Sequence, residues 1–110
     1  EWITLKDYVG KDGHFGVQGI VLKTTTGWVD ESGNGTDDYG FSGLPSGGRN
    51  EEKGGSFGSI GINSHWWTST DESSPNAWMW DITVDFKPHS NIGNFYTNKN
   101  FAFAVRCVKD

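Results

Sequence analysis

A chain of 110 residues holds at most one domain, and its 14 acidic against 9 basic residues, net −5, argue against nucleic acid and anionic membrane as partners. Hydrophobic residues make up only 34%, yet aromatics reach 15% and glycines number 16, a balance of short strands, many turns and a few large anchors with helix in the minority. No apolar run approaches the ~20 residues of a membrane span, and the lone Cys107 permits neither an internal disulfide nor a thiolate metal cluster.

The opening EWITLKDYVG sets Trp2, Leu5 and Tyr8 or Val9 at helical spacing, with Gly10 as a stop, and predicts one short helix. Glycine then punctuates residues 11–63, leaving scattered anchors such as Ile20, Leu22, Trp28 and Phe41 in a long irregular region. Three strands are expected after it, over residues 65–70, 77–86 and 101–108, forming a small antiparallel sheet. The polar, Asn-rich stretch 87–100 has room for a further short strand. In the middle strand Trp78, Trp80, Ile82, Val84 and Phe86 alternate with Ala77, Met79, Asp81, Thr83 and Asp85, so the first set forms the core face. Trp66 and Trp67 are adjacent and must point oppositely; one of them, with Trp67 favoured, needs a second core or a ligand. Cys107 alternates with Phe101, Phe103 and Val105 and is expected to face inward with them.

Among polar clusters, DESGNGTDD over residues 30–38 is the sharpest. Asp30, Ser32, Asn34, Gly35 and Asp38 occupy five positions of a calcium-loop pattern, and Asp37 can add an oxygen. The twelfth position, where an EF-hand places a bidentate Glu, is the apolar Phe41. Two readings therefore stand: a structural Ca2+ held by Asp30, Ser32, Asn34, Asp37 and Asp38, or a turn whose side chains bond their own backbone. Catalysis finds little support. Asp81 and Asp85 lie ~13 Å apart along a strand, beyond the ~5 to 9.5 Å of glycosidase pairs, and read as solvated. His14, His65 and His89 stand on separate segments and read as ordinary surface or satisfied structure. The segments TDESSPN and SNIGNFYTNKN offer amides, hydroxyls and flat rings suited to sugars or protein surfaces, with plain loops as the alternative. The candidate ligand-binding residues are Trp67, Asp71, Glu72 and Asn76, joined by Asn91, Asn94, Tyr96 and Asn98.

The order EWxxL, TTTGW, GNGTDDYGFSGLPSGGR, WWTSTD and FAVRCVKD resembles the Fibrobacter succinogenes major paralogous domain across nearly the whole chain. The resemblance implies an α+β, C-type lectin-like fold: a small twisted antiparallel sheet, one short N-terminal helix and a long Gly-rich loop region. It implies a single domain over residues 1–110 that lacks an upstream segment, and that segment would bring a cysteine able to pair with Cys107. His65 stands where the family often has tyrosine, and Gly47, Gly48 and Arg49 replace its GYR. Lectin calcium triplets are absent, since SPN at residues 74–76 lacks the carboxylate. The related formylglycine-generating enzymes work through reactive cysteines, which a single inward Cys107 does not match. The expected function is a non-catalytic recognition module of a bacterial surface or secreted protein, contacting glycan or a surface protein outside the cell. The alternatives are a structural module that assembles with sibling domains, or a diversified host or phage attachment domain.

Overall fold

The computed structural model describes residues 1–29, 31–51, 54–84 and 92–107. The architecture is α+β, with helices on one face of a three-stranded antiparallel sheet and a small hairpin facing the other. Helix α1, Trp2–Val9, does not stop at Gly10, which is itself helical at φ −64° and ψ −42°. The chain passes into a wider turn, Gly10–His14, and leaves the helical path at Asp12 (φ −80°, ψ 17°) and Gly13, whose φ of 97° is open to glycine at no steric cost. A second helix, α2 (Gln18–Leu22), follows inside the stretch expected to be irregular. Five residues are too few to show a helical period, and packing of the buried Val21 and Leu22 holds the segment in place.

Strands β1 (Gly48–Asn50) and β2 (Ser56–Gly58) pair as a hairpin, and β3 (Asn63–Ser73), β4 (Asn76–Thr83) and β5 (Ile92–Asn98) form the main sheet in that order. The third strand is thus the Asn-rich stretch, not residues 101–108. In that last segment the chain makes only isolated bridges, Ala102 to Arg49 and Ala104 to Trp66. Side-chain pattern favours the last segment, but β5 runs beside β4 through seven consecutive residue pairs, and ladder continuity outweighs that pattern. Cys107, with no strand to turn it inward, is exposed.

Register fixes the two faces of the sheet. Trp66, Trp80 and Asn94 lie in one row and Ser64, Ile82 and Ile92 in the next. That face meets Val9, Val21, Leu22 and Trp28 in the core. The ring of Trp2 stacks on Trp80 at 5.9 Å and lies 5.4 Å from Trp66, which joins α1 to the sheet. Trp80 and Ile82 are buried as the alternation predicts, whereas Trp78 and Val84 are only half-buried and Phe86 lies outside the described residues. Ala77 and Met79, on the opposite face, are buried too. The reason is that β4 is the central strand and its second face is roofed by the C-terminal segment, where Phe103 packs 4.8 Å from His65 and 4.7 Å from Trp67. Trp66 and Trp67 do point oppositely: Trp66 enters the main core, and Trp67 finds this smaller second one. No helix among the described residues is long and apolar enough to cross a membrane.

Candidate functional site

Two clefts flank the main sheet. The larger, about 720 Å3, is bounded by Trp67, Trp78, Thr70, Asn94 and Arg106, with Glu1 at its rim. Trp67, the last residue of β3 in regular register before the shift at Asp71, borders this cleft from the edge strand while its ring packs on Phe103. Both tryptophans are half-buried, so each shows part of its ring to solvent. Asn94 follows Trp80 in register, and its Nδ2 donates to the Met79 carbonyl at 3.3 Å, which fixes the amide at the cleft wall. Thr68, Ser69 and Thr70 add hydroxyls along one side.

Of the residues expected to bind a ligand, Trp67 and Asn94 share this cleft. Tyr96 is exposed and stands edge-on to Trp78 at 5.4 Å, one ring removed from it. Asp71, Glu72, Asn76 and Asn98 gather instead at the end of the sheet where β3 turns into β4. There Asp71 pairs with Lys99 at 2.9 Å, an exposed ion pair of small energetic weight. Asn76 lies opposite Asn98, whose Oδ1 accepts the Asn100 N–H at 2.9 Å. Asn91 lies outside the described residues. Sequence reasoning missed Trp78 and Arg106. Trp78 belongs to a row of core residues, and the structure leaves it half-buried at the cleft.

The second cleft, about 380 Å3, lies between the opposite sheet face and the β1–β2 hairpin. His65 and Asp81 face each other directly across β3 and β4 on its floor. The sequence suggests ordinary surface positions for both, but each is half-buried. Burial pushes the His65 imidazole below its ordinary pKa, and its Nδ1 is buried without a partner. Burial likewise pushes the Asp81 carboxyl up, against a backbone hydrogen bond from Gly93 that works the other way. Phe57, Phe95, Phe101 and Phe103 add rings to the lining, Tyr96 of the expected ligand-binding residues borders it too, and Arg49 with Asn50, Ser56 and Ser59 lies at the hairpin side.

In the 31–38 loop, Asn34, Gly35 and Asp37 bond to the segments on either side. Asn34 Oδ1 accepts the Trp28 N–H at 3.2 Å. Both carboxylate oxygens of Asp37 hold Ser42, its N–H at 2.6 Å and its hydroxyl at 2.7 Å. Gly35 donates to Thr24 O at 2.8 Å, and any Cβ there would run into the carbonyls of Ile20 and Lys23 at the end of α2. These contacts account for Asn34, Gly35 and Asp37 as turn chemistry. Ser32 and Asp38 are exposed, and Asp30 lies outside the described residues. No group of three or more potential metal ligands occurs among the described residues. His14 packs edge-on to Tyr39 at 5.8 Å, and His89 lies outside the described residues.

A family model described as the Fibrobacter succinogenes major domain matches residues 1–109 of the chain. No curated protein and no solved structure matches it.

Proposed function

The chain belongs to the Fibrobacter succinogenes major domain family, and from that premise we propose that it is a non-catalytic recognition module with a C-type lectin-like fold. It would act outside the cell, on a bacterial surface or secreted protein, and bind glycan or a surface protein in the larger cleft. The observation that carries this reading is the half-buried Trp78 in one cleft with Thr68, Ser69, Thr70, Asn94 and Arg106, with Trp67 at the cleft's edge. A pyranose has an apolar C–H face that a tryptophan ring covers and an equatorial rim of hydroxyls that amide, hydroxyl and guanidinium groups bind. Binding is all that this reading asks of these side chains. A calcium ion at the 30–38 loop, if one is held, would stiffen the fold at a distance from the sugar, since the loop belongs to the α2 side.

A glycan array probed with the wild type and with Trp67→Ala and Asn94→Ala tests the reading. Selective signal lost in both variants is the expected result. Signal that survives Trp67→Ala would move the site elsewhere, and an empty array together with no binding to surface-protein extracts would sink the recognition reading.

A second reading, assembly with sibling domains, has its own observation. Phe57, Ile60, Leu44 and Val29 are 75%, 72%, 61% and 50% exposed. A contiguous apolar patch marks an interface, and hydrogen bonds from Val29 N–H to Gly61 O and from Gly61 N–H to Pro45 O hold the segments of Val29, Ile60 and Leu44 side by side. Concentration-dependent growth of the molar mass in multi-angle light scattering would favour it, and a monomer at millimolar concentration would remove it.

A further inference from the structure

The second cleft has a chemistry that the sugar-binding reading leaves unused. We infer that it is a separate site for a primary alkylammonium group, seated between the Asp81 carboxylate and the rings of Phe95, Phe101 and Phe103. Three observations converge. First, Asp81 is half-buried in a cleft that four phenylalanines and Tyr96 help to line, and among the described residues no Lys or Arg pairs with it. A carboxylate removed from water without a counter-charge is costly, and an entering cation offsets that cost. Second, the guanidinium in the lining is already engaged within the hairpin, where Arg49 Nε donates to Gly55 O at 2.9 Å and the group packs along that glycine. Third, His65 stands beside Asp81 in register, with an Nδ1 that is buried and unpartnered.

The chemical class follows from these groups together. Aromatic faces attract a cation through their quadrupole, and a flexible alkyl chain fits the apolar walls. The Asp81 carboxylate on the floor calls for N–H donors, which a primary ammonium has and a quaternary one lacks. An anion would meet Asp81, and an uncharged hydrocarbon would leave that carboxylate unpaired. A volume of about 380 Å3 exceeds what a four-carbon amine needs and lies in the usual range of ligand pockets. The acidic balance of the whole chain, net −5, also favours a cationic ligand. Such an ammonium occurs on a lysyl side chain of a partner protein and on free amines alike.

Titration of the isotopically labelled protein with n-butylammonium, followed by amide and imidazole NMR shifts, tests the site. The expected result is saturable movement of the His65, Asp81, Gly93 and Phe95 resonances, with n-butanol producing none. Asp81→Asn keeps the shape and the Gly93 contact, and it should weaken binding about tenfold or more. Phe57→Ala alters only an exposed ring of the hairpin and should weaken binding by a smaller factor with the fold intact. Equal response to n-butanol and n-butylammonium, or an Asp81→Asn affinity equal to wild type, would overturn the assignment, as would silence at millimolar amine. Tighter binding of Nα-acetyl-lysine methylamide than of n-butylammonium assigns the site to a lysyl side chain; the reverse order assigns it to a free amine. Thr70→Ala, in the larger cleft alone, should leave the amine titration unchanged, which separates this site from the larger cleft.

Discussion

The Tyr39 hydroxyl donates to Asp12 Oδ2 at 2.6 Å across 27 residues of sequence, with Tyr8 edge-on at 6.0 Å. That hydrogen bond, and then the other effects of its surroundings, push the phenol pKa up to about 12 from its ordinary 10.0. A raised folded pKa means that the contribution of this contact is complete below the ordinary phenol value and fades as the pH climbs towards 12. Tyr39 should therefore ionise later than an ordinary phenol. Ultraviolet phenolate titration of the wild type should show a late component, and Tyr39→Phe should abolish it. Asp37 is a second residue whose effect is local. It sits at φ 52° and holds both the N–H and the hydroxyl of Ser42, so Asp37→Ala should cost about 1 to 3 kcal/mol. Thermal melts with EDTA and with added calcium decide the metal question at the same time. A loss of stability in Asp37→Ala that is the same in both buffers leaves the loop a turn, and a wild-type melt raised by calcium would give the loop an ion.

Strands β3 and β4 set His65 against Asp81, and their pKa shifts act on stability with opposite signs. Folding disfavours the imidazolium, so the stability tied to His65 is complete above the ordinary histidine value of 6.5 and falls as the pH drops below it. Asp81 has a raised pKa, so its protonated form suits the fold and its cost is felt above the ordinary carboxylate value of 3.8. Between neutral pH and about pH 5, His65→Leu should lose less melting temperature than the wild type. Asp81→Asn should melt higher than the wild type at neutral pH. Equal slopes for His65→Leu and wild type would mean that the imidazole is hydrated in solution. Neither residue's situation is legible from sequence, because a period-two pattern tells which face a side chain takes and not what covers that face. The same limit explains Met79 and Ala77, which alternation assigns correctly to the outer face and which are nonetheless buried under Phe103 and the hairpin side. It also explains the exchange of strands at the C-terminus. Ile92–Asn98 holds four β-formers, but Gly93 and two asparagines break its pattern and it reads from sequence as a loop with room for a strand, while the better-patterned last segment finds only single bridges among its described residues. Pairing in a sheet is settled by which backbone lies alongside the neighbour, a long-range fact that local composition does not hold.

At the scale of the whole molecule, helices, sheet and hairpin are tied by a few large rings, and this much is readable in advance: a chain poor in aliphatics and rich in aromatics must rely on anchors. The helix at the start, the β4 core row and the opposed tryptophans follow from short-range periodicity, whereas α2 and the hairpin depend on contacts between distant segments that no local pattern encodes. Trp2 is the anchor with the widest reach. From the second residue of the chain it touches Trp80 and Trp66 of the sheet and Phe41 of the glycine-rich region, all with centroids within 5.9 Å. Phe41 is in turn 5.6 Å from Trp66 and lies under the Arg106 guanidinium at 4.1 Å, so one ring network spans helix, loop, sheet and C-terminal segment. Trp2→Ala would open a hole that no neighbour can fill, at about 3 to 5 kcal/mol, against a total stability on the order of 5 to 15 kcal/mol. The urea midpoint should fall sharply while the slope of the transition stays the same, because the surface exposed on unfolding hardly changes. Trp78→Ala, at the half-open end of the same sheet face, should cost markedly less. If the two variants unfolded at the same midpoint, the ring network would carry no more stability than an ordinary surface contact, and the hold of α1 on the sheet would have to come from Leu5 and Val9 alone.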